Sequence, residues 1–401
     1  MSNNERLPQE LKDTIVGCLY ASGDTRSLAT CALAHRSLYN TSQILLFRDI
    51  SIREPAPASC LLRTLRDRPH LGAYVHSLCV EELERSNQWI YRDESLTGIL
   101  HETPELRELY LHPSSVFYGA LAAETRVALS KAVERPSLQT LSLACIIALP
   151  MAFFKHLSHV RDLRLSWMLL QDVEVPQTST RVKLTDLTLS LSGSSFVLFS
   201  LLCRRESDHM IEIDNLRSLR LEIDSSHGWQ EDAADIIAHC SKTLQSLELA
   251  CLGNMEFLIP RMHIRGKLHR LKLLALRDIS KAYIDTYGSL DWLRQLLALT
   301  PGVTHIAIQI KLNRHPLSLL SRILAPMSDI LTGDNAPSTL RSVSFTLSGC
   351  HPFEEDKLKD LGDLKRGVLA PLAAKVDVTI GPTLSYRDVE PPLLSLDLLD
   401  D

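Results

Sequence analysis

One six-residue pattern, apolar-x-x-apolar-x-apolar, recurs along most of this 401-residue chain and restricts what it can fold into. Copies begin at Phe47, Val75, Leu106, Leu138, Val160, Leu184, Leu216, Leu244, Leu268, Val303 and Leu340, and a degenerate last copy runs through Val378 and Ile380. Successive starts lie about 29 residues apart, a period typical of stacked repeats. The last two apolar residues of each copy are two apart, so in a short strand they point to one face and the residue between them to the other. Segments between copies carry helical spacing, as in Leu61, Leu62 and Leu65, in Ile236, Ile237 and Cys240, and in Leu290, Leu293, Leu296 and Leu297. Turn signals precede several copies: Thr103-Pro104, Arg135-Pro136, Thr300-Pro301-Gly302 and Ala336-Pro337. Each unit therefore reads as strand, loop, helix, loop. No such unit buries its own apolar face, so stacking creates the core.

Composition agrees with many similar thin layers rather than one large irregular core, since leucine is abundant and aromatics make up only 5%. A net charge of -5 supplies no field that draws nucleic acid or an acidic membrane, so neither is expected as a partner. Nine cysteines stand at 18, 31, 60, 79, 145, 203, 240, 251 and 350, with no Cys-x-x-Cys pair. Metal ribbons and disulfide frameworks need paired spacings, so reduced, partly buried thiols are expected and no metal. Glu5, Arg6, Glu10, Lys12 and Asp13 leave no apolar stretch for a signal peptide. The longest apolar run, residues 144–154, is broken by Pro150 and too short to span a bilayer. These features predict an intracellular protein, cytoplasmic or nuclear.

Residues 7–46 have a different texture. Pro8 suits a first helical position, and Glu10 sits favourably near the positive end of a helix dipole. Leu11, Ile15 and Leu19 form one apolar stripe at i, i+4 and i+8. Ser22-Gly23-Asp24 stops that helix and offers Asp24 as the cap of the next. Two further short helices follow, with Leu28, Cys31 and Leu33, and then Leu38, Ile44 and Leu45, as their apolar positions.

The repeated segments resemble the irregular, intracellular kind of leucine-rich repeat. One departure is that the Asn or Cys usual three residues after the last strand leucine is replaced by Ser114, Ile146, Met168, Ser192, Asp224, Leu252, Leu276 and Lys311. The N-terminal segment, Leu7-Pro8-x-Glu10-Leu11-x-x-x-Ile15, then Leu28-x-x-Cys31-x-Leu33-x-x-Arg36-Ser37-Leu38, then Leu46-Phe47-Arg48, is similar to an F-box of the sort abundant in fungi. That resemblance implies a three-helix unit docking on the Skp adaptor of a cullin–RING ubiquitin ligase. It places Leu7, Pro8, Leu11, Ile15, Leu28 and Leu33 at positions that meet the adaptor or shape the surface meeting it. Leu38 stands where the family usually has Trp.

The expected fold class is α/β: an F-box-like helical motif at 1–46, a leucine-rich-repeat solenoid at 47–385 with a parallel sheet on its concave side, and an acidic-hydrophobic tail at 386–401, which either folds back as a cap, the favoured reading, or forms a short docking motif. Residues between the strand leucines face the hollow of such a sheet. Tyr110, Arg164, Arg220, Glu248 and Lys272 are the candidate partner-binding residues there, a mixed-charge set ordinary for protein recognition. No phosphate loop, dinucleotide fingerprint, nucleophile elbow or paired-histidine zinc motif is present, so no catalytic residue and no cofactor are assigned. The expectation is a non-enzymatic subunit that recruits a protein substrate for ubiquitylation. The alternative is a repeat scaffold unconnected with ubiquitylation, its helical end serving only as a cap.

Overall fold

A computed structural model of the chain describes residues 7–82, 89–171, 181–191, 193–203, 210–223, 230–251, 255–280, 290–311, 320–334, 336–348 and 355–382. The expected tail at 386–401 lies outside them. Two compact units divide the chain, the first extending to Val160 and the second beginning at Arg161. That division falls inside one copy of the motif, where the sequence pattern carries no sign of a boundary.

The first unit opens with three helices, α1 (Gln9–Ala21), α2 (Thr25–Ala34) and α3 (Arg36–Arg48). Pro8 stands at the N-cap, one residue before the helix, and Glu10 lies in the first turn. Asp24 caps α2 as expected, its carboxylate accepting the Ser27 amide at 2.9 Å. The His35 imidazole caps α3 by accepting the Ser37 amide at 3.0 Å. Val16 and Leu28 are buried between the helices. Asp13 ties α1 to α3 by accepting the Thr41 hydroxyl at 2.6 Å, and Gln9 donates to the Ser37 carbonyl at 2.8 Å. The hydroxyl of Tyr20 donates to Asp49, and the Arg48 guanidinium lies 5.7 Å from the Tyr20 ring centroid, so α1 is fastened to the residues that start the first strand.

That strand, β1 (Asp49–Ile52), is followed by β2 (Ser77–Glu81), β3 (Glu108–His112), the short β4 (Val116–Phe117), β5 (Thr140–Ala144) and β6 (Ile146–Pro150). Strands β1, β2, β3 and β5 pair in parallel, in chain order, and β4 pairs with β6. The register sets Ile50, Leu78, Leu109 and Leu141 side by side, and likewise Ile52, Val80, Leu111 and Leu143; all eight are buried. These are the fourth and sixth motif positions. Behind them pack α4 (Pro55–Asp67), with Leu61, Leu62 and Leu65 buried, then α5 (Trp89–Arg92), α6 (Ser95–Glu102) and α7 (Ala123–Val133). Full burial of one such aliphatic side chain is worth roughly 1.5–3 kcal/mol, so each added layer contributes several of these gains.

The second unit repeats the plan. It comprises β7 (Asp162–Gln171), β8 (Val182–Lys183), β9 (Asp186–Leu191), β10 (Ile211–Glu212), β11 (Ser218–Ile223), β12 (Ser246–Cys251), β13 (Leu273–Ser280), β14 (His305–Lys311), β15 (Ser342–Ser348) and β16 (Asp377–Pro382). Strands β7, β9 and β11 to β16 form one parallel sheet in chain order, while β8 pairs with β10. The degenerate last copy takes its expected place: Val378 aligns with Val343, and Ile380 with Phe345. Helices α8 (Gly193–Cys203), α9 (Gln230–Cys240) and α10 (Met255–Arg265) link strands here, as do the helices Asp291–Leu299 and Leu320–Thr332.

One copy departs from its sequence assignment. Strand β13 aligns Leu274 with Leu247, and Leu276 with Leu249, so its motif begins at Leu271 rather than Leu268. Leu274 and Leu276 are buried, whereas Leu273 is exposed. Backbone pairing at the strand entrances fixes the same register. The amide of each second motif residue donates to the carbonyl of its predecessor: Arg107 to His76 and Gln139 to Arg107, each at 2.8 Å, then Gln245 to Arg217 and Lys272 to Gln245, also at 2.8 Å. Lys272 is therefore not between strand leucines, and its expected place on the sheet face is corrected to the strand entrance. Leu276, counted as a substitute for the usual Asn, is a strand leucine.

Glu82 bridges repeats in the first unit. It is buried, with one carboxylate oxygen accepting the Ile90 amide at 2.9 Å and the other accepting the amide and hydroxyl of Ser114, each at 3.2 Å. The turns also pack by backbone contact. A Cβ built on Gly302 would sit 2.4 Å from the His269 carbonyl oxygen, so only glycine lets the Pro301-Gly302 turn approach the preceding repeat.

Candidate functional site

Two surfaces stand out, one in each unit. On the N-terminal helices the apolar stripe faces outward. Leu7 is 44% exposed, Leu11 and Ile15 each 50%, and Leu33 88%, and Pro8 is exposed beside them. Of the six residues expected at an adaptor surface, only Leu28 is buried, on the inner side of α2, where it packs in the interior rather than offering a contact. Leu38 is partly buried. The local reason is that polar ties and the Val16–Leu28 interior already fix the three helices, so Leu11, Ile15 and Leu33 are not needed for their packing. Asp13, held below its usual range chiefly by the Thr41 hydroxyl and then by Gln9, stays an anion in that tie.

In the second unit Arg164, Thr188, Arg220 and Glu248 align across β7, β9, β11 and β12 at the fifth motif position. Neighbouring strands are about 4.8 Å apart, which sets Arg164 and Arg220 roughly 10 Å from each other. Arg164 pairs with Asp162 at 2.7 Å. Glu248 lies between two guanidiniums, Arg220 at 3.1 Å and Arg277 on the next strand. Three of the expected face residues thus form one row, and Lys272 stands apart from it at the strand entrance. Tyr110 holds the corresponding position in the first unit. Its hydroxyl donates to Glu108 at 3.1 Å, and its ring meets that of His112 edge-on, while His112 bonds the Ser142 hydroxyl at 2.9 Å.

Trp167 was missed by sequence reasoning. It lies at an irregularity in the β7–β9 pairing, between Ser166 and Met168, is 61% exposed, and has a φ of 54°. A bulky residue in that left-handed region stores strain of order 1–3 kcal/mol. Leu169 is exposed on the same strand. The available signal was the run of large residues from Trp167 to Leu170, which extends past the six-residue pattern.

Among the described residues no group of three or more His, Cys, Asp or Glu side chains could hold a metal ion. A small void in the first unit is lined by Ile90, Leu100, Leu109 and Leu129, part of the ordinary apolar interior. Cys203 and Cys240 are buried, and burial raises both thiols well above their usual range, so neither is a ready nucleophile. No helix among the described residues is long and apolar enough to cross a membrane.

No protein-family model matches the chain, and no curated protein matches it. Among solved structures, the chain is similar to an internalin from Listeria monocytogenes, with 11% sequence identity, a TM-score of 0.31, and coverage of 76% of this chain and 72% of that one.

Proposed function

We propose that this chain is a substrate-recruiting subunit of a Skp–cullin–RING-type ubiquitin ligase, its N-terminal helices docking on the Skp adaptor and its repeat sheets binding a protein target. The observation that carries the reading is the inside-out division of apolar residues in the helices. Val16 and Leu28 suffice as interior, and Leu7, Leu11, Ile15 and Leu33 are left to solvent on a motif that resembles an F-box. A helical cap serving only to cover the first repeat has no use for outward leucines, because capping surfaces are polar on the outside. Exposed clusters of this kind mark docking sites. The sheet faces suit the other half of the role, since rows of Arg, Glu, Tyr and His offer directional polar contacts without a pocket or reactive group. Chemistry then belongs to other subunits.

Burial on the adaptor has a calculable weight. Leu33 retains most of its area, and Leu11 and Ile15 about half of theirs. At roughly 1.5–3 kcal/mol for a whole aliphatic side chain, the three together supply about 3–6 kcal/mol. The test is co-purification of the full chain with the Skp adaptor. The unmodified chain is expected to carry the adaptor, and the double variant Leu11→Ser, Ile15→Ser to lose it while keeping its circular dichroism spectrum. Equal recovery of adaptor by both chains, or by neither, defeats the reading.

A further inference from the structure

We propose that the strand-entry edge of the second unit is a docking site for an acidic, extended segment of another polypeptide chain laid across the repeats. The edge is built by the backbone. Amide-to-carbonyl bonds join Gln245 to Arg217, Lys272 to Gln245, Thr304 to Lys272 and Arg341 to Thr304, at 2.8, 2.8, 2.9 and 2.8 Å. The row therefore alternates a basic residue with a neutral polar one. With strands about 4.8 Å apart, Arg217, Lys272 and Arg341 recur roughly every 10 Å over about 20 Å. All three are exposed, and none is engaged in an ion pair among the described residues. The loops leading into the same edge add Lys242, Lys267 and Arg270, also exposed. The acidic groups nearby in sequence are Asp214 and Asp334 in the loops and Asp377 at the start of β16.

This concentration of cations stands on a chain whose net charge is -5, so it is local and opposes the charge of the whole. An arrangement of that sort favours an anionic partner that is small in cross-section, since a bulky polyanion meets the repulsion of the remainder. An extended peptide of polyproline-II type has three residues per turn and rises about 3.1 Å per residue, so a carboxylate at every third residue falls on one face and matches the 10 Å period of the row. Single-stranded nucleic acid fits less well. Stacking platforms are what hold its bases, and the entry segments 214–217, 241–245, 266–272, 300–304 and 337–341 contain no Phe, Tyr or Trp. The inference names a partner chemistry for the repeats and does not depend on the adaptor reading.

The test uses the full chain and a fluorescein-labelled 13-residue peptide with Glu at every third position and Ser between, followed by anisotropy at low and moderate salt. The wild-type chain should bind, and added salt should weaken binding, as for exposed charges. The triple variant Arg217→Ala, Lys272→Ala, Arg341→Ala should lose at least about tenfold in affinity while its melting temperature holds, because all three side chains are exposed. The Leu11→Ser, Ile15→Ser variant should bind the peptide as the wild type does, which separates failure here from failure of the adaptor role. Failure of the wild type to bind the peptide overturns the proposal, as does equal binding by the triple variant. Tighter binding of a 15-nucleotide oligothymidine reassigns the edge to nucleic acid. A tenfold gain on removing residues 386–401 makes this chain's own acidic tail the occupant. Either of these two results also rejects the partner named here.

Discussion

Glu82 is the most informative single residue for the stacking of the first unit. Its carboxylate is buried and accepts three hydrogen bonds, from the Ile90 amide and from the amide and hydroxyl of Ser114. Ser114 lies three residues after the last strand leucine of its repeat, Leu111, and Glu82 reaches it from the neighbouring repeat. Glu82→Ala leaves those donors without a partner. A buried unsatisfied donor costs about 1–3 kcal/mol. The Ser114 groups are only partly buried and can recruit water, so the Ile90 amide carries the largest share. The sum is about 3–5 kcal/mol, a large fraction of the 5–15 kcal/mol that typically holds a domain together. Glu82→Gln keeps acceptor capacity but loses the charge, and bonds to a charged acceptor are roughly twice as strong as neutral ones, so about 1–2 kcal/mol is expected. Urea unfolding followed by circular dichroism reads both values. A loss below about 1 kcal/mol for the alanine variant, or equal losses for alanine and glutamine, would refute the reasoning.

Further outcomes follow from other contacts. Gly302→Ala forces a Cβ to within 2.4 Å of the His269 carbonyl oxygen and should cost about 1–3 kcal/mol; an unchanged melting temperature would contradict the close stacking of that turn. Leu28→Ala should destabilise the helical end by about 2–5 kcal/mol, while Leu33→Ala, at an exposed site, should stay within about 0.5 kcal/mol. Burial, aided by the Glu108 charge, raises the Asp49 carboxyl to about 6. A raised acid favours the folded state when protonated, so its contribution is complete below pH 4 and fades as pH climbs through 6. Asp49→Asn keeps an acceptor for the Tyr20 hydroxyl and should melt above the wild type at pH 7.5 but level with it near pH 3.5; a variant that melts lower at pH 7.5 would show that the charge is not the liability.

Much of this architecture can be read from residue spacing alone. The strand leucines, the helical stretches around Leu61–Leu65 and Ile236–Cys240, and the Asp24 cap all follow from local periodicity and capping chemistry. Both leucine triplets starting at Leu268 and Leu271 satisfy the same pattern, because Leu268, Leu271, Leu273, Leu274 and Leu276 crowd together. Only backbone pairing with the neighbouring strands selects one, and choosing it changes the flanking intervals from 24 and 35 residues to 27 and 32. That shift moved Lys272 off the sheet face and into the basic row of strand entrances. Glu82 and Trp167 were out of reach for a related reason. The first acts through partners 8 and 32 residues away, and the second through a pairing irregularity, neither of which periodicity encodes.

Carbene footprinting of the full chain, with and without the Skp adaptor, reads solvent contact at single side chains and so decides whether the outward leucines are a docking surface. Leu11, Ile15 and Leu33 should label strongly when the chain is alone and be protected when the adaptor is added, with labelling of Trp167 unchanged. Helices labelled equally in both samples would contradict the account.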